Sequence, residues 1–397
     1  MIVWMLACTG RPPEGALVVV GMDGLDAEEL AAAMPSLPTF RRVSEEGFLT
    51  TWRIAIQPIW SPVIWTSLSS GYAEEVHGVT HWAKPDGDLY RSDHVLVKRL
   101  WDVASDNGRA SSVVGWPITW PATPVKGLMV SGGWAPSAAP NRDVTREGGA
   151  WPPELAARAR DWIQPRDWLR DEGLAEQVRL IGWPRHPITT DEYFLRAWEA
   201  NFHGEAHALS LLYLCGADQL AQIVERRAQA KTFAGRSTEG TGVGPAWVRA
   251  YYGYLDGALA RVIARMDPAR DTLVVLSDHG FQLEGEKDSG DRHREPAVLM
   301  GWGRLAKRGA HAGEADVYDV AATLYAVAGL PLARDFAGEP IAGLFAAPPA
   351  PDAVESYVVD PTGKPRHAAG LRDDGAREQL EALGYLDAKG RPAAAPP

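Results

Sequence analysis

Thr272-Leu273-Val274-Val275-Leu276-Ser277-Asp278-His279-Gly280 is the stretch from which the fold is read. Its apolar run, rich in Val and Leu, suits a strand buried on both faces, as in a parallel sheet. The run ends abruptly in a carboxylate and an imidazole, followed by a glycine that lets the backbone turn. Asp and His are costly core residues but good ligands for Zn²⁺ or a similar divalent ion. Gly15 to Gly24 repeats the pattern and ends in Asp23-Gly24, and Ala208 to Asp218 repeats it again. Asp26 then caps a helix with Glu28 and Glu29 in its first turn. Strand, carboxylate, glycine and helix form an α/β unit, with the carboxylate at the strand end where open parallel sheets bind ligands.

The chain has 397 residues, of which 46% are hydrophobic, enough for a large α/β domain. The net charge of −11 comes without any basic run, which argues against a nucleic-acid polymer as partner. No apolar stretch is long enough to span a bilayer. Two cysteines, Cys8 and Cys215, make no disulfide framework. Residues 1–14 are set apart from the fold. Met1 to Thr9 resembles the end of a bacterial lipoprotein signal peptide, with Cys8 as the lipidated residue and a short linker after it. That reading predicts membrane attachment through lipid and a periplasmic or other extracytoplasmic location.

Ser61-Pro62 opens another helix, with Ser61 read as its cap, Pro62 as its first residue and Gly71 as its stop. A hydroxyl at a helix N-terminus faces free N–H groups and the positive dipole end, and a nearby cation makes it a nucleophile. Residues 82 to about 200 carry ten of the sixteen tryptophans and many prolines. They are read as an irregular insertion in which the tryptophans mainly pack. Further helices are expected at Val97 to Asn107, Thr190 to His203, Gln219 to Ala230, Tyr251 to Met266 and Val317 to Gly329. Strands are expected at Ser111 to Gly115 and Ala297 to Gly301. From about Ala346 the chain reads as an extension with one helix, Ala376 to Leu383, and a disordered tail. Three strands leading to Asp, a serine at a helix start and the isolated His293 form the inventory of a two-metal site with a hydroxyl nucleophile.

These pieces, in this order, resemble the alkaline phosphatase superfamily, in its type I phosphodiesterase/nucleotide pyrophosphatase branch. Gly-Met-Asp23-Gly, Ser61-Pro-Val-Ile-Trp-Thr-Ser-Leu-Ser-Ser-Gly71, His77-Gly78-Val79, Asp218, Ser277-Asp278-His279-Gly280 and His293 carry the resemblance over residues 16 to 345. It implies a doubly wound, mostly parallel sheet with helices on both faces, spanning residues 15–345. It implies that Asp23, Asp278 and His279 hold one metal, which also meets the Ser61 oxygen. Asp218 and His293 belong to a second, about 4 Å away. Zinc is expected first, with Mn²⁺ or Mg²⁺ as alternatives. The implied chemistry is in-line attack by Ser61 on a small phosphate ester, then hydrolysis of the phospho-serine by water.

Two positions depart from the family pattern. Gln222 stands where the family has a His four residues after the Asp218 position, which weakens the second metal or favours a harder ion. Ile64 replaces the Asn that nucleotide pyrophosphatases carry three residues after the nucleophile. His203, His207 or Glu225 are the residues that could substitute at the second metal. The reading is a metal-dependent hydrolase of phosphoric mono- or diesters. Its rivals are a phosphotransferase and a non-catalytic binding protein with one metal.

Overall fold

The computed structural model describes residues 15–132, 148–163, 168–181, 186–204, 206–229, 232–233, 236–237, 244–283, 293–346, 351–359, 377, 380–381, 385–387 and 391–392. The expected lipoprotein segment with Cys8, and most of the expected C-terminal helix and tail, lie outside these residues.

Eight strands form the central sheet: β1 (Leu17–Met22), β2 (Phe48–Trp52), β3 (Ser111–Val114), β4 (Gly127–Val130), β5 (Ala150–Trp151), β6 (Leu209–Leu214), β7 (Thr272–Leu276) and β8 (Ala297–Gly303). Their spatial order is β2-β8-β7-β1-β6-β3-β4-β5. The five strands from β7 to β4 run parallel, while β8 and β5 are antiparallel to their neighbours. The continuous apolar runs of β1, β6 and β7 are explained by burial on two sides. Leu17, Val19, Leu211, Val274 and Leu276 pack into one layer, with the helices Ser61–Ser70 and Val317–Val327. Val18, Val20, Leu212, Leu214, Leu273 and Val275 pack into the other, under Pro38–Glu46, Ile188–Asn201 and Pro245–Ile263. Each such side chain contributes about 1.5–3 kcal/mol when fully buried. The doubly wound, mostly parallel sheet is therefore the fold, as expected.

Three sequence expectations are corrected. Ser61 is the first residue of its helix and Trp60 holds the cap position, with no side-chain capping bond. Asp218 lies in the first turn of the helix Gly216–Gln229 rather than at a strand end. Residues 82–200 contribute β3, β4 and β5 to the sheet itself. β3 is the strand expected at Ser111 to Gly115, but β4 and β5, of four and two residues, are too short to show a period-2 signal, so the rest of this part read as irregular. Its tryptophans pack: Trp82, Trp101, Trp116, Trp120, Trp162 and Trp198 are buried.

The described part of the C-terminal extension docks against the body. Val354 and Val358 bridge to Ala333 and Val97, and Leu380, Tyr385 and Leu386 are buried in the same layer as the Ser61 helix.

Candidate metal centre

The sheet order places β7, β1 and β6 side by side, and each leads at its carboxyl end to one aspartate. Asp278, Asp23 and Asp218 thus meet at one rim of the sheet, where parallel α/β sheets bind ligands. Gly24 has φ +69°, and a Cβ there would stand 2.7 Å from Asp218 Cβ. Only glycine allows this turn and approach. Gly24→Ala is expected to cost about 1–2 kcal/mol in a denaturant titration and to push Asp218 out of place.

Two groups of ligand atoms converge, one of Asp23, Asp278 and His279 and one of Asp218, His279 and His293. His279 is shared. Its Nε2 lies 3.3 Å from Asp23 Oδ1 and 3.4 Å from Asp278 Oδ2. Ser61 Oγ is 3.1 Å from His279 Nε2 and 3.5 Å from Asp23 Oδ1. His293 Nε2 is 3.3 Å from Asp218 Oδ1, and the two imidazole centroids are 4.1 Å apart. All the predicted residues therefore meet, and Gln222 lies beside Asp218. His203, His207 and Glu225 join neither group. His207 precedes β6, at the opposite end of the sheet. His77 also lies outside both groups: its ring joins Ser67 Oγ at 3.1 Å and accepts from Val79 N–H at 3.1 Å. Burial pushes its pKa down to about 3, so it is a neutral structural residue.

The hydrogen bonds sort the donor atoms into held and free. Asp23 Oδ2 accepts from the Trp65 indole at 3.3 Å and from the Tyr213 hydroxyl. Asp278 Oδ1 accepts from Gly24 N–H at 3.3 Å, while its Oδ2 is buried without a hydrogen bond. Asp218 Oδ2 accepts from Gln222 at 2.7 Å and from Tyr385, while its Oδ1 is left without one. Asp278 and Asp218 thus each keep one oxygen for something else, while Asp23 Oδ1 faces the Ser61 hydroxyl at 3.5 Å and His279 Nε2 at 3.3 Å. The histidines follow the same rule. His279 Nδ1 lies 3.0 Å from Gly280 O and His293 Nδ1 lies 3.2 Å from Ile59 O. An Nδ1–H given to a carbonyl leaves each Nε2 lone pair facing inward, the tautomer that ligation requires. Orphaned buried oxygens are costly alone and are the donor set a divalent cation takes. The residues fit the metal pair.

Electrostatics agree. Burial, and then the charge of Asp23, pushes Asp278 well above the usual carboxylate range. Burial would lower His279, but the Asp278 carboxylate and its neighbours outweigh it and raise the group to about 9. Asp23 is held below its usual range: burial would raise it, yet the bonds and charge of His279 prevail. In chelated protein, charged His279 stabilises the fold fully below its unfolded value of about 6.5, and this is lost as pH rises through about 9. Ligation needs the neutral ring, so protons compete with the ion. The rise in Tm caused by added Zn²⁺ is expected to grow from pH 6.5 to pH 9. A rise that stays constant across this window would exclude His279 as a ligand.

Several supporting residues escaped sequence reasoning. Asp26, read as a helix cap, accepts from Glu28 and Glu29 N–H but also binds Arg294 at 2.7 and 2.8 Å and Phe281 N–H at 3.1 Å. It thereby pins the short antiparallel pair Gly280–Phe281 and His293–Arg294, which presents His293. Asp191, whose pKa burial pushes up to about 7, accepts from Cys215 and Gly216 N–H and shapes the turn into Asp218. The Ser61 helix start offers little free backbone. Val63 and Ile64 both donate to Trp60 O, and Pro62 has no N–H. Anion stabilisation at this end would fall to the dipole and to any cation held by the two groups.

A family model for type I phosphodiesterase / nucleotide pyrophosphatase matches residues 17–324. No curated protein matches the chain in sequence. Among solved structures, a putative sulfatase from Bacteroides thetaiotaomicron VPI-5482 is similar with a TM-score of 0.52 at 11% identity, over 83% of this chain and 74% of its own. Phosphonoacetate hydrolase from Sinorhizobium meliloti 1021, in complex with phosphonoformate, gives 0.43 at 15% identity, and the chain covers 70% of itself and spans 59% of that protein. A protein in the alkaline phosphatase superfamily from Vibrio parahaemolyticus gives 0.43 at 11%, over 80% and 67%.

Proposed function

The chain belongs to the type I phosphodiesterase / nucleotide pyrophosphatase family of phosphoric ester hydrolases, and from that premise we propose that it hydrolyses a small phosphate mono- or diester through a phospho-serine at Ser61. The observation that supports this most is the position of the Ser61 hydroxyl beside His279 Nε2 and Asp23 Oδ1, with the free oxygen of Asp278 in the same group.

Asp23, Asp278 and His279, with the Ser61 oxygen, would hold one divalent cation, and Asp218 and His293 the other. Such ions supply charge neutralisation of the phosphoryl oxygens and acidify a neighbouring hydroxyl. The chain's own residues do the rest. Ser61, fixed at the first position of a fully buried helix, would attack phosphorus through its Oγ. Ser61 gives up its hydroxyl proton as the Oγ–P bond forms and the P–O bond to the leaving group breaks, and the leaving oxygen takes up a proton from solvent and departs as the alcohol. Water then cleaves the Oγ–P bond and restores the hydroxyl. Trp65 and Tyr213 keep Asp23 from swinging while charge moves through the site.

Gln222 favours one second reading. It stands where the family has a His, and its amide N–H is given to Asp218 at 2.7 Å, so a one-metal binding protein is the rival. The deciding assay takes the full chain, stripped by chelation, and measures hydrolysis of aryl phosphate mono- and diesters with Zn²⁺, Mn²⁺ or Mg²⁺ restored in turn. Ion-dependent turnover establishes the hydrolase. Folded protein inert with every ion and both ester types overturns it.

A further inference from the structure

Asp218 has its outer oxygen held from an unexpected direction. Oδ2 accepts from Gln222 Nε2 at 2.7 Å and from the Tyr385 hydroxyl at 3.3 Å, and Gln222 Nε2 also bonds the Tyr385 oxygen. The directions are forced by chemistry: the amide nitrogen can only donate, so the phenol oxygen accepts from it and donates its own proton to the carboxylate. Tyr385 comes from the C-terminal extension, 167 residues along the chain from Asp218. Its ring stands edge-on to Trp60 at 6.2 Å and to Trp82 at 6.0 Å. Trp60 immediately precedes Ser61. The segment is anchored, because Leu380, Tyr385 and Leu386 are all buried in the core layer that also holds the Ser61 helix and Trp82.

We propose that Tyr385 is a positioning residue of the Asp218–His293 cation group, so that the C-terminal extension sets the affinity of that group for its ion. The inference rests on the reading of this group as a metal site. A phenylalanine would fill the space between the two tryptophans as well, so packing alone does not explain the hydroxyl. An imidazole at position 222 would itself bind the ion and need no help. An amide there leaves Asp218 and His293 as the anchoring ligands, and the Asp218 carboxylate must then be fixed. Gln222 and Tyr385 together fix it with Oδ1 turned toward His293 and free of hydrogen bonds. Partners of this kind, which orient a ligand without touching the ion, change metal affinity by roughly 10–100-fold when removed. The first group has no contact of this type with the extension among the described residues. Its carboxylates are held by Trp65, Tyr213 and Gly24.

The test is calorimetric titration of chelated full-length protein with Zn²⁺ and, separately, Mn²⁺, comparing wild type with Tyr385→Phe. Wild type is expected to bind two ions per chain. Tyr385→Phe is expected to weaken one of them about 10-fold or more, leaving the other and the Tm of chelated protein unchanged. In a Gln222→His background the same substitution is expected to cost much less, because the imidazole now ligates directly. Unchanged affinities in Tyr385→Phe, equal weakening of both ions, or a single ion per wild-type chain would each overturn the role of Tyr385. Wild type that binds no ion would overturn the metal reading itself, a result separate from the others.

Discussion

Ser61→Ala is expected to lower kcat on the best aryl phosphate by about 10⁴-fold or more, the scale seen when a covalent nucleophile is deleted. The same variant should fold normally. Ser61 is not the side-chain cap of its helix, alanine is the best helix former at that position, and only one small buried atom is lost. Chemistry and stability can therefore be separated. Tm in chelator should stay within about 1 °C of wild type, while one ion binds more weakly for want of the Oγ contact. Rapid quenching of wild type on a substrate with a good leaving group should trap phosphate on Ser61, and the variant should trap none. A variant that keeps a tenth of the wild-type kcat would exclude the phospho-serine route.

Asp278→Asn should change the sign of its effect with the ion. Without cations, Asp23, Asp218 and Asp278 are buried together, and burial and then Asp23 disfavour the charge on Asp278. Asparagine removes that charge. It retains an acceptor for Gly24 N–H, and with the Asp278 charge gone His279 loses the first cause of its raised pKa, so the neutral ring's Nε2, now 3.4 Å from Asp278 Oδ2, can accept from the amide. Chelated Asp278→Asn is therefore expected to melt about 2 °C or more above chelated wild type. Added Zn²⁺ should reverse the order. A ligand at 100 times its Kd stabilises by about 2.7 kcal/mol, and the variant should lose most of that gain together with roughly 10³-fold of turnover. Scans of both proteins with and without Zn²⁺ decide it. A variant that is less stable than wild type in chelator shows that carboxylate crowding is not a burden. One that keeps the full Zn²⁺-induced rise shows that Asp278 is not a ligand.

The candidate site was legible in outline because its candidate ligands announce themselves locally. A carboxylate or imidazole that ends an apolar run has no place in a core, so Asp23, Asp278 and His279 stand out without any knowledge of neighbours. His293 was weaker in sequence, and it acquires its place only through Asp26 and Arg294. Tyr213 and Trp65 were passed over as core aromatics. A signal existed for each: a hydroxyl inside a buried strand needs a partner, and Trp65 lies four residues after Ser61 on the same helix face. Tyr385 gave none, since nothing in a Pro- and Ala-rich extension points to a position across the sheet.

The sequence by itself determined the long buried strands β1, β6, β7 and β8, the short β3, most of the helices packed on them and the chemical identity of the candidate ligands, because burial periodicity and residue chemistry are local properties. Tertiary structure alone decided that β7, β1 and β6 are neighbours, that His279 serves both groups, and which oxygen of each aspartate is free. It also decided that the C-terminal extension returns to Asp218. These depend on strand order and on contacts between residues 150 or more positions apart. Such contacts are paid for by the collective burial of the whole sheet and leave no pattern in any short window of the chain.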